Sequence, residues 1–194
     1  MKEKTELKIM LYFTIGYLLF FTVLSIIKGN YEFLYYSIIM GILIGITVLY
    51  HKKLHLSKHV LIGLTILGAL HIFGGNIHLF GTRLYDLYLI PGIFRYDNLV
   101  HSFGIYVATF VIYSLVHPHL DKRKKHNMWL LAIILILMAM GAGAMNEILE
   151  LGAVMFLGAA KQVGDYFNNA FDLVFNFLGA SLASFIIIRH HKKK

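Results

Sequence analysis

The chain has 194 residues, of which 58% are apolar, and its mean hydropathy is +0.70. This composition excludes a water-soluble globular domain and is typical of a membrane protein with several spans. The formal net charge of +8 does not indicate nucleic-acid binding, because the basic residues lie in short stretches between apolar segments, where membrane proteins carry orientation signals. The absence of cysteine excludes disulfide bonds and thiolate metal sites.

Six apolar segments follow one another, and each is close to the roughly 20 residues that a helix needs to cross a bilayer. The first has no signal-peptide cleavage site after it, so we expect it to remain as a membrane span. Lys28, Gly29 and Asn30 predict a tight turn before the second span. The sequence therefore predicts an all-α polytopic membrane protein with a single transmembrane domain over residues 1–194. The predicted spans are residues 9–27, 33–50, 60–80, 99–116, 128–156 and 169–188.

Lysine and arginine are distributed unequally between the predicted loops. Fourteen of the 18 lie at the two termini, after the second span or after the fourth span, which share one side of the membrane if there are six spans. The other four are Lys28, Arg83, Arg95 and Lys161. Because cytoplasmic loops are enriched in lysine and arginine, this pattern predicts a multi-pass protein of the cell membrane with both termini in the cytoplasm.

Ionisable and amide side chains accumulate at the predicted extracytoplasmic ends of the spans. His71 and His78 are seven residues apart, which would place them two turns apart on one face of the third helix. Charged groups within a membrane are costly and generally mark a functional site, so we expect these side chains to line one outward-facing pocket. The later members are Asp97, His101, Glu147, Glu150, Asp165, Asn169, Asp172 and Asn176.

Two structural explanations for these polar groups remain open. Asp97, Asp165 or Asn168 would cap a helix, because short side-chain acceptors satisfy the free backbone N–H groups of a first turn. The remaining groups would form a polar network that holds helices together in lipid, with Arg83 or Arg95 paired to a carboxylate. In that case the pocket would carry out no chemistry.

The functional explanation is a metal or acid–base site. Imidazole and carboxylate groups at helical spacing suit zinc, iron or manganese, although the sequence contains neither HExxH nor a pair of ExxH motifs. The predicted metal ligands are His71, His78, Asp97, His101 and Asp172. The predicted catalytic groups are Glu147, Glu150, Asp172 and His101. The predicted substrate-binding groups are Arg83, Arg95, Asp165, Asn169 and Asn176, and helix N-termini near Arg83, Arg95 and Lys161 would suit a phosphate.

Small residues predict close helix contacts at two places. Gly41 and Gly45 form a small-xxx-small step in the second span, and residues 179–184 form a small face in the sixth. Both patterns also fit the ordinary glycine usage of membrane helices, so this choice stays open.

Three segments resemble the YjdF family of uncharacterised bacterial inner-membrane proteins. They are RYDNLVHSFGIY (residues 95–106), NEILELG (146–152) and GDYFNNAFDLVFNFLGA (164–180). The G-D-x(6)-D-x(3)-N-x-x-G pattern of the third segment is also similar to the end of VanZ-like membrane proteins, which are associated with resistance to glycopeptide or lipoglycopeptide antibiotics. The resemblance implies a multi-span membrane protein without an established activity. The shared polar positions would be Asp97, His101, Glu147, Glu150, Asp165, Asp172 and Asn176.

Three functions are compatible with the sequence. The first is a metal-assisted hydrolase or transferase on a lipid-linked or amphiphilic substrate, with a divalent metal such as zinc. The second is a transporter or ligand-binding membrane protein that uses the same pocket for a cation or a proton, although the apolar inner halves of three spans disfavour a path across the membrane. The third is a structural or accessory protein. The expected partners are the lipid bilayer and a lipid substrate, and not nucleic acid.

Overall fold

The computed structural model describes residues 2–120 and 127–191. Basic residues 122–125 and 192–194, which contribute to the predicted orientation, lie outside the described residues. Within them, six helices are long and apolar enough to cross a membrane, which confirms the predicted all-α polytopic class. The candidate spans are Thr5–Lys28, Tyr31–Tyr50, Lys58–Asn76, Tyr96–His119, Met128–Leu157 and Tyr166–His190.

The helices begin where short polar side chains accept hydrogen bonds from the first backbone N–H groups. Asn30, Ser57 and Asn127 act in this way at the second, third and fifth helices. The left-handed backbone of Gly29, with φ of 65°, forms the predicted turn before Asn30. The helices are α1 (Lys2–Lys28), α2 (Tyr31–Tyr50), α3 (Lys58–Asn76), α4 (Tyr96–Val116), α5 (Met128–Leu157), α6 (Ala160–Val163) and α7 (Tyr166–His191).

Two small hairpins connect α3 to α4. β1 (His78–Leu79) pairs with β2 (Thr82–Arg83), and β3 (Tyr88–Ile90) pairs with β4 (Phe94–Arg95). The first hairpin turns at Phe80 and Gly81, which both have positive φ, as a two-residue turn of this kind requires. The prediction that the third span continues to Phe80 is therefore wrong, because the chain leaves the helix after Asn76 to pair as a hairpin.

Helices α4, α5 and α7 pack closely. A Cβ atom on Gly179 would clash with the carbonyl oxygen of Ser102, so α7 and α4 approach through their backbones. Ala180 is completely buried beside this contact. The small face predicted in the sixth span is thus confirmed as a contact. A Cβ atom on Gly41 or Gly45 of α2 would have no described atom within 4 Å, so the contact predicted there is wrong within the single chain.

The bundle has two chemically different ends. One carries the hairpins, the start of α4, the start of α7 and the end of α5, and we name it the polar end. At the other, the lysine-rich end, Lys58 at the start of α3 forms an ion pair of 2.5 Å with Glu6 of α1. Between α1, α2 and α3 on one side and α4 and α5 on the other lies a cavity of about 570 Å³.

Candidate functional site

A cluster of one imidazole and four carboxylates lies at the polar end. His101 Nε2 is 3.6 Å from Asp97 Oδ1, 3.7 Å from Glu150 Oε1 and 3.9 Å from Asp172 Oδ2. His101 Nδ1 is 3.7 Å from Glu147 Oε1. Four carboxylates from three helices therefore surround one histidine, and we name these five residues the His101 cluster.

Helical spacing delivers these side chains to the same place. Asp97 and His101 are one turn apart on α4, and Glu147 and Glu150 are one turn apart on α5. The close contact between α4 and α7 adds Asp172, whose side chain is completely buried. Because charges are costly to bury without compensation, an environment of this kind demands protons or a cation between the carboxylates.

The cluster contains two groups of residues that could each hold a metal ion. In the first group, one ligand atom from each of Asp97, His101 and Asp172 lies within 4.8 Å of the others. In the second, His101, Glu147 and Glu150 satisfy the same criterion. Nitrogen and oxygen ligands of this type suit zinc, iron or manganese, so the donor set fits the predicted metals.

Amide side chains orient the Asp172 carboxylate. Asn98 Nδ2 donates to Asp172 Oδ1 at 3.1 Å, and Asn168 Nδ2 donates to Asp172 Oδ2 at 2.9 Å. The Arg95 guanidinium in turn donates to Asn168 Oδ1, which fixes that amide. Carboxylates that bind a metal are typically held in one orientation by hydrogen bonds from groups that do not contact the metal themselves.

The two glutamates of α5 differ in their hydrogen bonding. Asn146 Nδ2 donates to Glu150 Oε1 at 2.7 Å. Both carboxylate oxygens of Glu147 are buried, and neither has a hydrogen-bond partner among the described residues. Buried polar atoms are nearly always paired, so the Glu147 carboxylate requires a partner beyond the described residues, such as a ligand, a water or a proton.

Residues 9–193 match a family model of predicted membrane proteins designated DUF2238. The chain belongs to the DUF2238 family. The YjdF-like resemblance is consistent with this family, whereas the similarity to VanZ-like proteins stays a prediction. No curated protein and no solved structure matches the chain. The DUF2238 description supports the membrane location and names no activity, so the function must be argued from the site.

In this DUF2238 chain the predicted ligand His71 lies outside both metal-binding groups, although it lines the same cavity. Its Nδ1 atom is 2.6 Å from the hydroxyl oxygen of Tyr85, and the rings of Phe33 and Tyr36 pack against it. Burial raises the pKa of Tyr85 well above its ordinary value, so the phenol stays protonated within hydrogen-bond distance of His71. Tyr85 therefore holds the imidazole by one of its two nitrogens.

His78 does not share a helix face with His71. It is exposed in β1, where it lies opposite Arg83 in the hairpin. The helical spacing that the sequence predicts for the two histidines is wrong because α3 ends at Asn76. Among the described residues, His78 joins neither metal-binding group.

The two predicted anion-binding arginines both contact protein groups. Arg83 lies 2.9 Å from Asp86 and 3.6 Å from Glu32, and it lines the cavity. Arg95 donates to the Asn168 amide, and its guanidinium lies 5.9 Å from the centre of the Tyr88 ring. The side chain of Lys161, the third predicted cation, lies outside the described residues. Arg83 is the arginine that faces the cavity, whereas Arg95 supports the His101 cluster through an amide.

Of the predicted helix caps, Asp165 is confirmed and Asp97 is not. Asp165 is exposed, and its Oδ1 accepts the backbone N–H of Asn168 at 3.0 Å, so its capping role at α7 is confirmed. Asp97 does not cap α4, because Asn98 Oδ1 accepts the Arg95 N–H at 2.9 Å in its place. The Asp97 carboxylate is instead directed toward the imidazole of the cluster.

Sequence reasoning missed several residues at the site. Asn98 and Asn168 orient Asp172, Glu32 pairs with Arg83, and Tyr85 holds His71. A signal was present for Asn168, which precedes Asp172 by four residues and so shares its helix face. Asn169 is half-buried, with an unpaired Oδ1 among the described residues, and Asn176 is fully buried on the cavity wall.

Proposed function

We propose that the protein is a metal-dependent hydrolase or transferase that acts on a lipid-linked substrate at the extracytoplasmic face of the membrane. The observation that carries the proposal is the buried His101 cluster at the end of a largely apolar cavity. Four carboxylates around one imidazole bring negative charge that a low-dielectric site does not tolerate alone. A bound divalent cation compensates that charge and supplies Lewis-acid chemistry.

We assign the metal to Asp97, His101 and Asp172. Two amides hydrogen-bond Asp172 and orient its carboxylate, as expected for a metal ligand. Glu147 has no hydrogen-bond partner among the described residues, and its Oε1 is 3.7 Å from His101. Glu147 is then the general base that takes a proton from the attacking water or hydroxyl group.

The cavity supports a lipid as the substrate. Its polar end is formed by charged residues that include His101, Glu150 and Arg83, and most of the remaining wall is apolar. A volume of about 570 Å³ lies within the range of small-molecule sites, and apolar walls favour a hydrocarbon chain. The susceptible bond of an amphiphile would thus lie beside the cluster, with its chain extending toward the lysine-rich end.

A transporter or ligand-binding protein is the second candidate, because the cavity wall continues to Lys8 and His51 at the lysine-rich end. Between the two ends the polar side chains of the wall are hydroxyl groups, such as those of Thr14 and Thr65, and the amide of Asn176. Hydroxyl groups separated by apolar residues offer no continuous path for a proton or cation, so we place the hydrolase or transferase first.

Metal analysis tests the proposal directly. We expect the purified protein to bind one equivalent of zinc or manganese, and both Asp172→Asn and His101→Ala to lose it. Asp165→Asn and His78→Ala are matched controls, because Asp165 and His78 are exposed and outside the cluster. Equal metal content in the native chain and in correctly folded Asp172→Asn protein would refute the metal site.

Activity separates the two candidate functions. Glu147→Gln should retain the metal and lower the hydrolysis of lipid phosphoesters or acyl esters in nanodiscs by about a hundredfold or more. Uptake of a cation into vesicles, without hydrolysis and blocked by Glu147→Gln, would favour transport instead. Retained hydrolysis in Glu147→Gln would remove Glu147 from the role of general base.

Labelling tests the proposed orientation, and the lack of cysteine in the chain makes it simple. Thr82 and Lys53 are exposed at the polar and lysine-rich ends. We expect an impermeant maleimide to label Thr82→Cys in intact cells and Lys53→Cys only after lysis. The reverse pattern would place the His101 cluster on the cytoplasmic side.

A further inference from the structure

One buried amide of the cavity wall is not used by the proposed reaction. Asn176 lies on α7 one turn after Asp172, lines the cavity and has no exposed surface. Neither its Oδ1 nor its Nδ2 has a hydrogen-bond partner among the described residues. Leaving a buried amide unpaired costs about 1–3 kcal/mol, so this side chain indicates a missing polar partner that both accepts and donates.

A glycine of the neighbouring helix lies directly beside the amide. Gly143 of α5 faces Asn176 and also lines the cavity. A Cβ atom on Gly143 would lie 2.8 Å from Asn176 Nδ2 and 3.5 Å from Ile105 Cδ1. The absence of a side chain at Gly143 therefore keeps the approach to the amide open.

The cavity opens toward the lipid on the side of α2 and α5. Leu43 and Val48 of α2 and Ala142 of α5 belong to its wall and are exposed. At the polar end the two helices are joined, because the Tyr35 hydroxyl donates to the Leu149 carbonyl oxygen at 3.4 Å. The opening thus lies below the polar end, at the level of the hydrocarbon chains. We name this laterally open cavity the lipid groove.

The groove is long enough to hold a lipid chain. At the rise of an α-helix, its wall extends about 17 Å on α4, from Asp97 to Ala108, and about 28 Å along α2, from Glu32 to His51. The hydrocarbon core of a bilayer is about 30 Å thick, so the chains of one leaflet, about 15 Å deep, fit within this length. A chain that enters sideways from the bilayer needs no transfer through water.

We propose that the lipid groove binds one hydrocarbon chain of a membrane lipid and that the Asn176 amide hydrogen-bonds the hydroxyl or amide group at the head of that chain. The inference rests on the proposed function, because it names the substrate class for the same site. The polar headgroup beyond that hydroxyl or amide then reaches the His101 cluster. Such a lipid satisfies both atoms of Asn176 and removes the cost of the unpaired amide.

Photocrosslinking tests the position of the chain. The probe is a lysophospholipid with a diazirine in its acyl chain, presented to the native protein in nanodiscs. We expect crosslinks in α2 and α4. Ala142→Phe should lower them about tenfold, because its ring would displace about two methylene groups of the lipid chain from the apolar wall, and that loss of contact weakens binding by about this factor. Ala144→Phe is the matched control, because Ala144 is exposed on the same helix and does not line the groove. Equal crosslinking in the two variants would overturn the chain assignment.

A second comparison tests the amide. The lysophospholipid with its free glycerol hydroxyl should bind the native protein about tenfold more tightly than the same lipid with that hydroxyl methylated, as one buried hydrogen bond predicts. Asn176→Leu should bind both lipids equally. Gly143→Ala, which fills the space beside Nδ2, should also lose the preference. A native protein without preference, or an Asn176→Leu protein that keeps it, would overturn the assignment of Asn176.

Metal content measured on the same samples separates this inference from the proposed function. Zinc binding without crosslinks in the groove would overturn the lipid assignment and leave the metal site standing. Crosslinks in the groove without zinc would remove the metal site and support the groove as a lipid site of another kind.

Discussion

The bundle has two halves, α1–α3 and α4, α5 and α7, which pack by different means. α4 and α7 meet through their backbones at Gly179 and Ser102, and this contact brings Asp172 to His101. α1 and α3 meet through aromatic rings, with Tyr17 and Phe21 at 6.3 Å and 5.3 Å from the ring of Phe73. Rings hold backbones farther apart than a glycine contact does, so a cavity remains between the first half and the second half, whereas the second half itself closes around a cluster.

This difference has a functional meaning. Buried carboxylates must be held at fixed distances, because charge compensation falls off rapidly when a ligand moves. A hydrocarbon chain needs only apolar volume and tolerates a loosely packed wall. Under the proposed function, the tightly packed half would therefore carry the chemistry and the other half would bind the substrate.

The largest expected effect comes from opening the tight contact. Gly179→Ala places a Cβ atom against the backbone of α4, so we expect the protein to lose about 3 kcal/mol of stability and its metal. Chemical unfolding in mixed micelles and metal analysis measure both effects. Gly141→Ala is the control, since no described atom lies within 4 Å of a Cβ at Gly141. Similar losses in both variants would contradict the special role of this contact.

The next effect concerns the amides around Asp172. Asn98→Ala removes the donor at 3.1 Å, so we expect zinc affinity to fall about 10- to 100-fold in competition titrations with a chelator. Asn127→Ala, at the start of α5, should lose about 1 kcal/mol of helix capping and keep the metal. Unchanged zinc affinity in Asn98→Ala would show that Asp172 needs no orientation.

A smaller effect is expected at the junction of the two halves, where Tyr85 holds His71. Tyr85→Phe removes the hydrogen bond of 2.6 Å and should lower the free energy of unfolding by about 1 kcal/mol at neutral pH. Because burial raises the pKa of Tyr85 when folded, its stabilising contribution is complete below its ordinary pKa of 10.0 and decreases above it. The stability of Tyr85→Phe should therefore fall less steeply above that pH. Parallel curves would contradict this assignment.

The smallest effect belongs to the loosely packed half. A Cβ atom added by Gly45→Ala on α2 meets no described atom within 4 Å, so we expect a change in unfolding free energy below about 0.5 kcal/mol or a slight gain from helix propensity. Thermal unfolding in detergent checks this result. A loss as large as that of Gly179→Ala would mean that α2 forms a close contact that the single chain does not contain.

Local spacing predicted part of the site correctly. Asp97 and His101, or Glu147 and Glu150, share a face because a helix brings such positions together in any fold. Spacing failed for His71 and His78 because it assumed a helix across Asn76, where the strand pairing of β1 takes over. A hairpin whose strands have only two residues each is too short to produce a periodic pattern in the sequence.

The choice of partners was beyond sequence reasoning. Arg83 and Arg95 were equally plausible anion-binding groups, and the structure pairs one with carboxylates and the other with Asn168. Asp97 was the candidate for the cap of α4, but its neighbour Asn98 accepts the Arg95 N–H instead. Each choice depends on which neighbouring helix faces the side chain.

The amino-acid sequence by itself determined the six spans and the end at which the ionisable side chains lie, because lipid requires about 20 apolar residues per helix and excludes charge from its interior. Only the tertiary structure decided that four carboxylates surround His101 and that a groove lies beside them. The physical reason is that hydropathy depends on composition alone, whereas distances between helices depend on which side chains meet at each contact.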